Sequence, residues 1–172
     1  MKLIMQIEAK KLIGLPIAAN DTQSKIAEIE KILVDPNNGN VLGFLVRPGG
    51  FFSLRKVISA VDIREWDPNG IVTETINNLV GEDEIVRIKE VLDQDIDLFT
   101  MKAKTKSGKR LGAVEDFLID TATSCVMKYY LNDLVSGSKV FPADKVIKIE
   151  KNVIIFEDDT AEIPAGAQGA AA

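Results

Sequence analysis

Lys25-Ile-Ala-Glu-Ile-Glu-Lys-Ile-Leu-Val-Asp35 and Arg110-Leu-Gly-Ala-Val-Glu-Asp-Phe-Leu-Ile-Asp120 decide the reading of this chain. Laid one on the other, they put Glu30 on Glu115, Leu33 on Leu118 and Asp35 on Asp120, a constant offset of 85 residues. The match runs without a gap to Val46 over Leu131, and nearly every apolar position stays apolar. Further on, Lys56-Val57-Ile58-Ser59-Ala60 matches Lys139-Val140-Phe141-Pro142-Ala143 at an offset of 83, so a two-residue slip falls in the loop between. Asn69, Ile71, Val72 and Glu74 then meet Asn152, Ile154, Ile155 and Glu157. Self-similarity over this length is the mark of one supersecondary unit used twice.

Each copy reads as β. Val41-Leu-Gly-Phe-Leu-Val46 and Val126-Met-Lys-Tyr-Tyr-Leu131 are short β-prone runs. Asp35-Pro-Asn-Asn-Gly-Asn40 and Asp67-Pro-Asn-Gly70 are turn clusters, with Asp able to accept nearby backbone N–H groups and Gly able to take positive φ. Asp120-Thr-Ala-Thr-Ser124 is a weaker second version of the first turn. Ile26, Ile29 and Ile32, like Leu111, Val114 and Phe117, recur every third residue, which also suits a helix. Gly112 and the turn that directly follows favour a bulged strand instead.

The expected organisation is therefore a mainly β chain of two small barrels in tandem. The first repeat occupies 1–74, an acidic connector 75–97, the second repeat 98–160 and a flexible tail 161–172. The connector carries one short amphipathic helix, about Glu82 to Leu92, with Ile85, Ile88, Val91 and Leu92 as its apolar stripe and Glu82-Asp83-Glu84 at the positive end of its dipole. From 75 to 100 there are two basic residues and seven acidic ones, a balance of −5 that equals the formal charge of all 172 residues. The repeats together are thus close to neutral.

Composition narrows the chemistry. The chain has no histidine and one cysteine, Cys125. Serine or cysteine catalysis that relies on an imidazole is excluded, as are His-ligated metals, a cysteine zinc site and an intrachain disulfide. The net negative charge argues against nucleic acid as the main partner. Apolar runs are strand-length, so no signal peptide or membrane insertion is expected, and a reducing, cytoplasmic location is the default.

Leu12-Ile-Gly-Leu-Pro-Ile17, the run from Lys25 to Asp35, a glycine turn and a hydrophobic strand together resemble the PRC-barrel pattern. Ser107-Gly-Lys-Arg-Leu-Gly112, Asp116 to Asp120 and Val140-Phe-Pro-Ala143 resemble it a second time. The resemblance implies a small, strongly curved β-barrel per copy. It also implies a protein-binding or assembly role, as in the H subunit of photosynthetic reaction centres and the C-terminal domain of a ribosome-maturation factor. It brings no family active site and no cofactor. The first reading is a non-catalytic adaptor that binds another protein or itself. The alternatives are a ribosome-associated maturation factor and a small enzyme that works without histidine.

Several groups invite a chemical role and have a plainer one. Lys102, Lys104 and Lys106 alternate as the solvent face of an edge strand would. Asp35, Asn37 and Gly39 begin like a calcium loop, but Val46 stands where a bidentate glutamate is needed. Asp93, Asp95 and Asp97 read as a solvated acidic stretch, and Glu28 with Glu30 as a pair without a pocket. Cys125 reads as a small buried or half-buried thiol and Trp66 as core or barrel-end packing. No catalytic, cofactor or metal residue is therefore assigned. The candidate binding residues are Phe51, Phe52 and Leu54, because Pro48-Gly-Gly-Phe-Phe-Ser-Leu54 puts adjacent large apolar side chains in a glycine loop that a solvated turn does not require.

Overall fold

A computed structural model describes residues 5–50 and 53–163. The first half contains β2 (Pro16–Ala19), β3 (Ser24–Val34), β4 (Val41–Pro48), β5 (Lys56–Ser59), β6 (Ile63–Asp67) and β7 (Gly70–Thr73), preceded by a short β1 (Gln6–Glu8). The helix α1 (Val86–Asp93) follows, and then β8 (Lys102–Thr105), β9 (Arg110–Asp120), β10 (Cys125–Asp133), β11 (Gly137–Pro142), β12 (Val146–Glu150) and β13 (Val153–Phe156). Strand order is β5-β4-β3-β2-β7-β6 in the first sheet and β11-β10-β9-β8-β13-β12 in the second. The two orders are one topology, in which a parallel pair, β2 with β7 and β8 with β13, joins two antiparallel runs into a barrel-like half.

The sequence offsets reappear as strand register. Ile29 opposes Val46, Ile32 opposes Phe44 and Val34 opposes Val41; 85 residues on, Val114 opposes Leu131, Phe117 opposes Tyr129 and Ile119 opposes Val126. Phe44 opposes Ile58 and Tyr129 opposes Phe141, so the two-residue slip falls in the loop between those strands. Both long strands are bulged at the same places. Glu30 and Glu115 are passed over in the ladder, as are Leu42 and Met127. A bulge flips the alternation of a strand, so Ile29 and Ile32 both face the core, and the three-residue spacing that suits a helix is satisfied in a strand. The same bulges bend β3 and β9, which lets a short sheet curl around Phe44 or Tyr129.

The correspondence continues past β7 and β13. Val80 exchanges hydrogen bonds with Val57 on the outer edge of β5, at 2.9 and 3.0 Å. Ile163 donates to the Val140 carbonyl at 2.7 Å on the outer edge of β11. Ile163, expected in the tail, is thus part of the second half; 164–172 lie outside the described residues.

Two other expectations are corrected. The helix starts at Val86, not Glu82, because Glu84 turns back to accept from the Gly81 N–H at 2.6 Å and closes a separate turn. The strand carrying Lys102 and Lys104 is interior, between β9 and β13. Its lysines are exposed because they lie on the outer face of the curved sheet, with Ala103 and Thr105 buried on the inner one.

Candidate functional site

The loop that leaves β4 is built on Glu30. Its bulge position turns the carboxylate out of the ladder, and Arg47 from β4 and Arg55 from the far side of the loop both converge on it, Arg55 at 3.2 Å. Gly50 sits at φ +122°, and a side chain there would strike the Ser53 hydroxyl, which itself donates to the Gly49 carbonyl at 2.8 Å. The loop base is thereby fixed on both sides. Leu54 stands next to this anchor with 83% of its surface exposed, over a shallow depression shared with Arg55, Lys56, Gly81, Glu82 and Asp83. Phe51 and Phe52, the other two candidates, lie outside the described residues.

The equivalent loop of the second half is shorter and presents apolar side chains too. The Asp133 carboxylate accepts from the N–H groups of Val135 and Ser136 at 3.0 and 3.1 Å, and Gly137 takes φ +75° to enter β11. The Val135 and Ser136 N–H groups favour the charged form of Asp133 and hold its carboxyl below the usual range. The tight turn leaves Leu134 and Val135 fully exposed at its tip. No aromatic accompanies this pair, and it is not among the candidates read from the sequence.

The remaining candidates take the plainer roles. Asp35 is buried; burial opposes its ionisation, but the Asn37 N–H and the Arg87 guanidinium outweigh it and hold its carboxyl below the usual range. It closes the β3–β4 turn, its carboxylate accepting from the Asn37 N–H and its backbone carbonyl from the Gly39 N–H, both at 2.9 Å. Asp93 pairs with Lys89, and Asp95 and Asp97 flank Lys31. Among the described residues no three His, Cys, Asp or Glu side chains converge as metal ligands. Trp66 packs edge-on against Phe44, with ring centroids 5.6 Å apart. Cys125 is half-buried and donates from Sγ to the Asn40 Oδ1 at 3.1 Å. A cleft of about 470 Å³ opens between the Pro36–Gly39 turn and β10 to β12, lined by the charged side chains of Asp144 and Lys148 and by Tyr129. No helix among the described residues is long and apolar enough to cross a membrane.

The family model of the PRC-barrel domain matches residues 5–93, which spans the first sheet and α1. The chain belongs to the PRC-barrel family. The matched region contains β1 to β7, the Asp35 turn and the Leu54 loop, so the PRC-barrel is the scaffold on which the exposed loop is mounted. No curated protein sequence matches the chain.

Proposed function

We propose that this PRC-barrel protein is a non-catalytic adaptor whose two halves are both PRC-barrels and which docks another protein, or a second copy of itself, through the loops following β4 and β10. The observation that carries this is the exposure of Leu54 beside a loop base pinned by Glu30, Arg47 and Arg55. A rigid mount with an exposed apolar tip buries area on docking with little side-chain ordering, which is the make-up of a binding hot spot. The shared strand order and the shared bulges support a second PRC-barrel at 98–163. A chain without histidine supports a role other than acid–base catalysis at neutral pH. The formal charge of −5 supports a protein partner over nucleic acid.

Affinity capture from the native source, with the intact chain against Leu54→Asp, Phe51→Ala, Phe52→Ala and a Leu134→Asp/Val135→Asp variant, tests the reading. Loss of one defined partner, or of self-association, with melting temperature unchanged supports it. Capture unaffected by every variant refutes the loops as the docking site, and capture of ribosomal proteins alone refutes the general adaptor in favour of a ribosome-associated factor. For Phe51 and Phe52, a loss of roughly 3–5 kcal/mol of stability with association intact would make them core residues and not contacts.

A further inference from the structure

The two halves meet through equivalent residues. Asn40 faces Cys125 in an antiparallel bridge, and the two are 85 residues apart, the offset of the repeat itself. The Val41 N–H donates to the Ser124 carbonyl at 2.7 Å, and the Val126 N–H donates to the Gly39 carbonyl at 3.2 Å. Asn40 meets its own counterpart, and the contact of Val41 with Ser124 is repeated, with the halves exchanged, by Val126 with Gly39. That is the contact pattern of a two-fold, isologous interface, here closed within one chain.

The segments ahead of each barrel are exchanged in the same sense. β1, which precedes the first barrel, pairs with β9 of the second, Gln6 opposite Asp120 and Glu8 opposite Leu118. The helix α1, which precedes the second barrel, packs on β3 and β4 of the first. At the matching point of each long strand the charge is reversed. Lys31 on β3 faces Asp95 and Asp97 of the second barrel's leader, at 3.7 and 3.9 Å. Its counterpart on β9 is Asp116, which accepts from the Lys10 backbone N–H of the first barrel's leader at 3.0 Å, next to the Lys11–Glu8 ion pair of that leader at 2.8 Å. Two first halves brought together would set Lys10 and the Lys11–Glu8 pair against Lys31, and two second halves would set Asp95 and Asp97 against Asp116.

We infer that this junction is a homotypic docking surface of the barrel carrying a charge code, so that the partner it accepts from a second molecule is the opposite half of another copy of this chain. The resulting species is a half-exchanged dimer, opened at Gly81–Ile85 between the strap on β5 and α1, in which 39–41 of one copy meets 124–126 of the other. All contacts of the closed chain are kept, and only the turn at the hinge is remade. This inference stands apart from the loops proposed above as the adaptor site.

The test uses the full chain carrying Asn40→Cys. Facing residues of a non-hydrogen-bonded antiparallel pair have Cα atoms about 4.5 Å apart, within the range a disulfide spans. Unfolded chains are refolded under oxidising conditions from about 1 μM to about 1 mM, the upper end matching the effective concentration of a short linker. At the low end the expected product is monomer with an internal 40–125 disulfide. At the high end a covalent dimer is expected, linked 40–125 between chains, in several-fold excess over 40–40 and 125–125 links, as the Lys31 ion pairs with Asp95 and Asp97 allow. Lys31→Glu in the same background should raise the 40–40 share several-fold. Links in the statistical proportion, an unresponsive Lys31→Glu, or monomer at every concentration overturns the inference. Should Asn40→Cys not fold, co-refolding of isotope-labelled and unlabelled unsubstituted chains reads the same exchange by native mass spectrometry. A mixed-mass dimer that rises with concentration supports it, and its absence overturns it.

Discussion

Gly39 and Ser124 occupy the same place in the two halves, and substitutions at them should have opposite signs. Both are left-handed, at φ +72° and φ +56°, and both turn a carbonyl toward the other half. A non-glycine residue in that conformation costs roughly 1–2 kcal/mol. Replacing it with glycine also loosens the unfolded chain, at a cost of roughly 0.5–1 kcal/mol. Ser124→Gly should therefore gain about 0.5–1 kcal/mol. Gly39→Ala should lose about as much, and the loss is backbone strain alone, since a Cβ at Gly39 meets nothing within 4 Å. In a protein of this size 1 kcal/mol moves the midpoint by about 2–4 °C. Thermal and urea unfolding of the two single variants and of the double should give Ser124→Gly above the parent and Gly39→Ala below it. A destabilised Ser124→Gly, or two changes of the same sign, would refute the argument that the junction holds this conformation against the preference of its residue.

Gly112→Ala should cost about 3–5 kcal/mol, because φ is +125° there and a Cβ would lie 2.7 Å from the Asn132 carbonyl oxygen across the β9–β10 ladder; a change below about 1 kcal/mol in urea would contradict the geometry. Asp35, with its carboxyl held below the usual range, contributes stability that is present above about pH 4 and lost as pH falls through its folded value. In Arg87→Gln the folded value moves up toward the unfolded one and the acid loss should be smaller, so a stability profile from pH 2 to 7 that is identical for the two chains would refute the pairing. Leu54→Asp should leave the urea midpoint within about 0.5 kcal/mol of the parent, as surface changes do; a larger loss would mean that Leu54 packs against the fold.

Much of the fold was legible because each half repeats the other. The bulged strand at Ile26–Ile32 and Leu111–Phe117 and the two-residue slip before β5 and β11 follow from one alignment, which constrains a strand more tightly than local propensity does. Helix and strand were separable at Ile26–Ile32 only because a bulge reconciles three-residue spacing with a ladder. The position of the lysine strand was not legible, since the parallel pairing of β8 with β13 joins residues some 50 apart and leaves no local mark. The helix start was missed because Glu84 is used by the turn at Gly81 and not by the helix. At the candidate site, Leu54 was named as a candidate binding residue from glycines beside large apolar residues, and its exposure is read from the fold. The anchoring of the loop by Glu30 was not legible, because a bulge residue's direction depends on a register that only the folded pair reveals. The junction at Asn40 and Cys125 was invisible for the same reason: alignment tells which residues correspond, not that corresponding residues touch.

The pairing of β1 with β9 also sets the timing of synthesis. Gln6, Ile7 and Glu8 leave the ribosome early, yet their partners Asp120, Ile119 and Leu118 are made more than a hundred residues later. At about 5–20 residues per second, that leaves β1 without its partner for roughly 6–20 s. During that interval the first barrel can already close through β2 and β7, while the strand ahead of it waits as an open edge. β1 is thus made ahead of the first barrel yet paired only after β9 has been made, and it passes those seconds as an edge that any extended segment could meet.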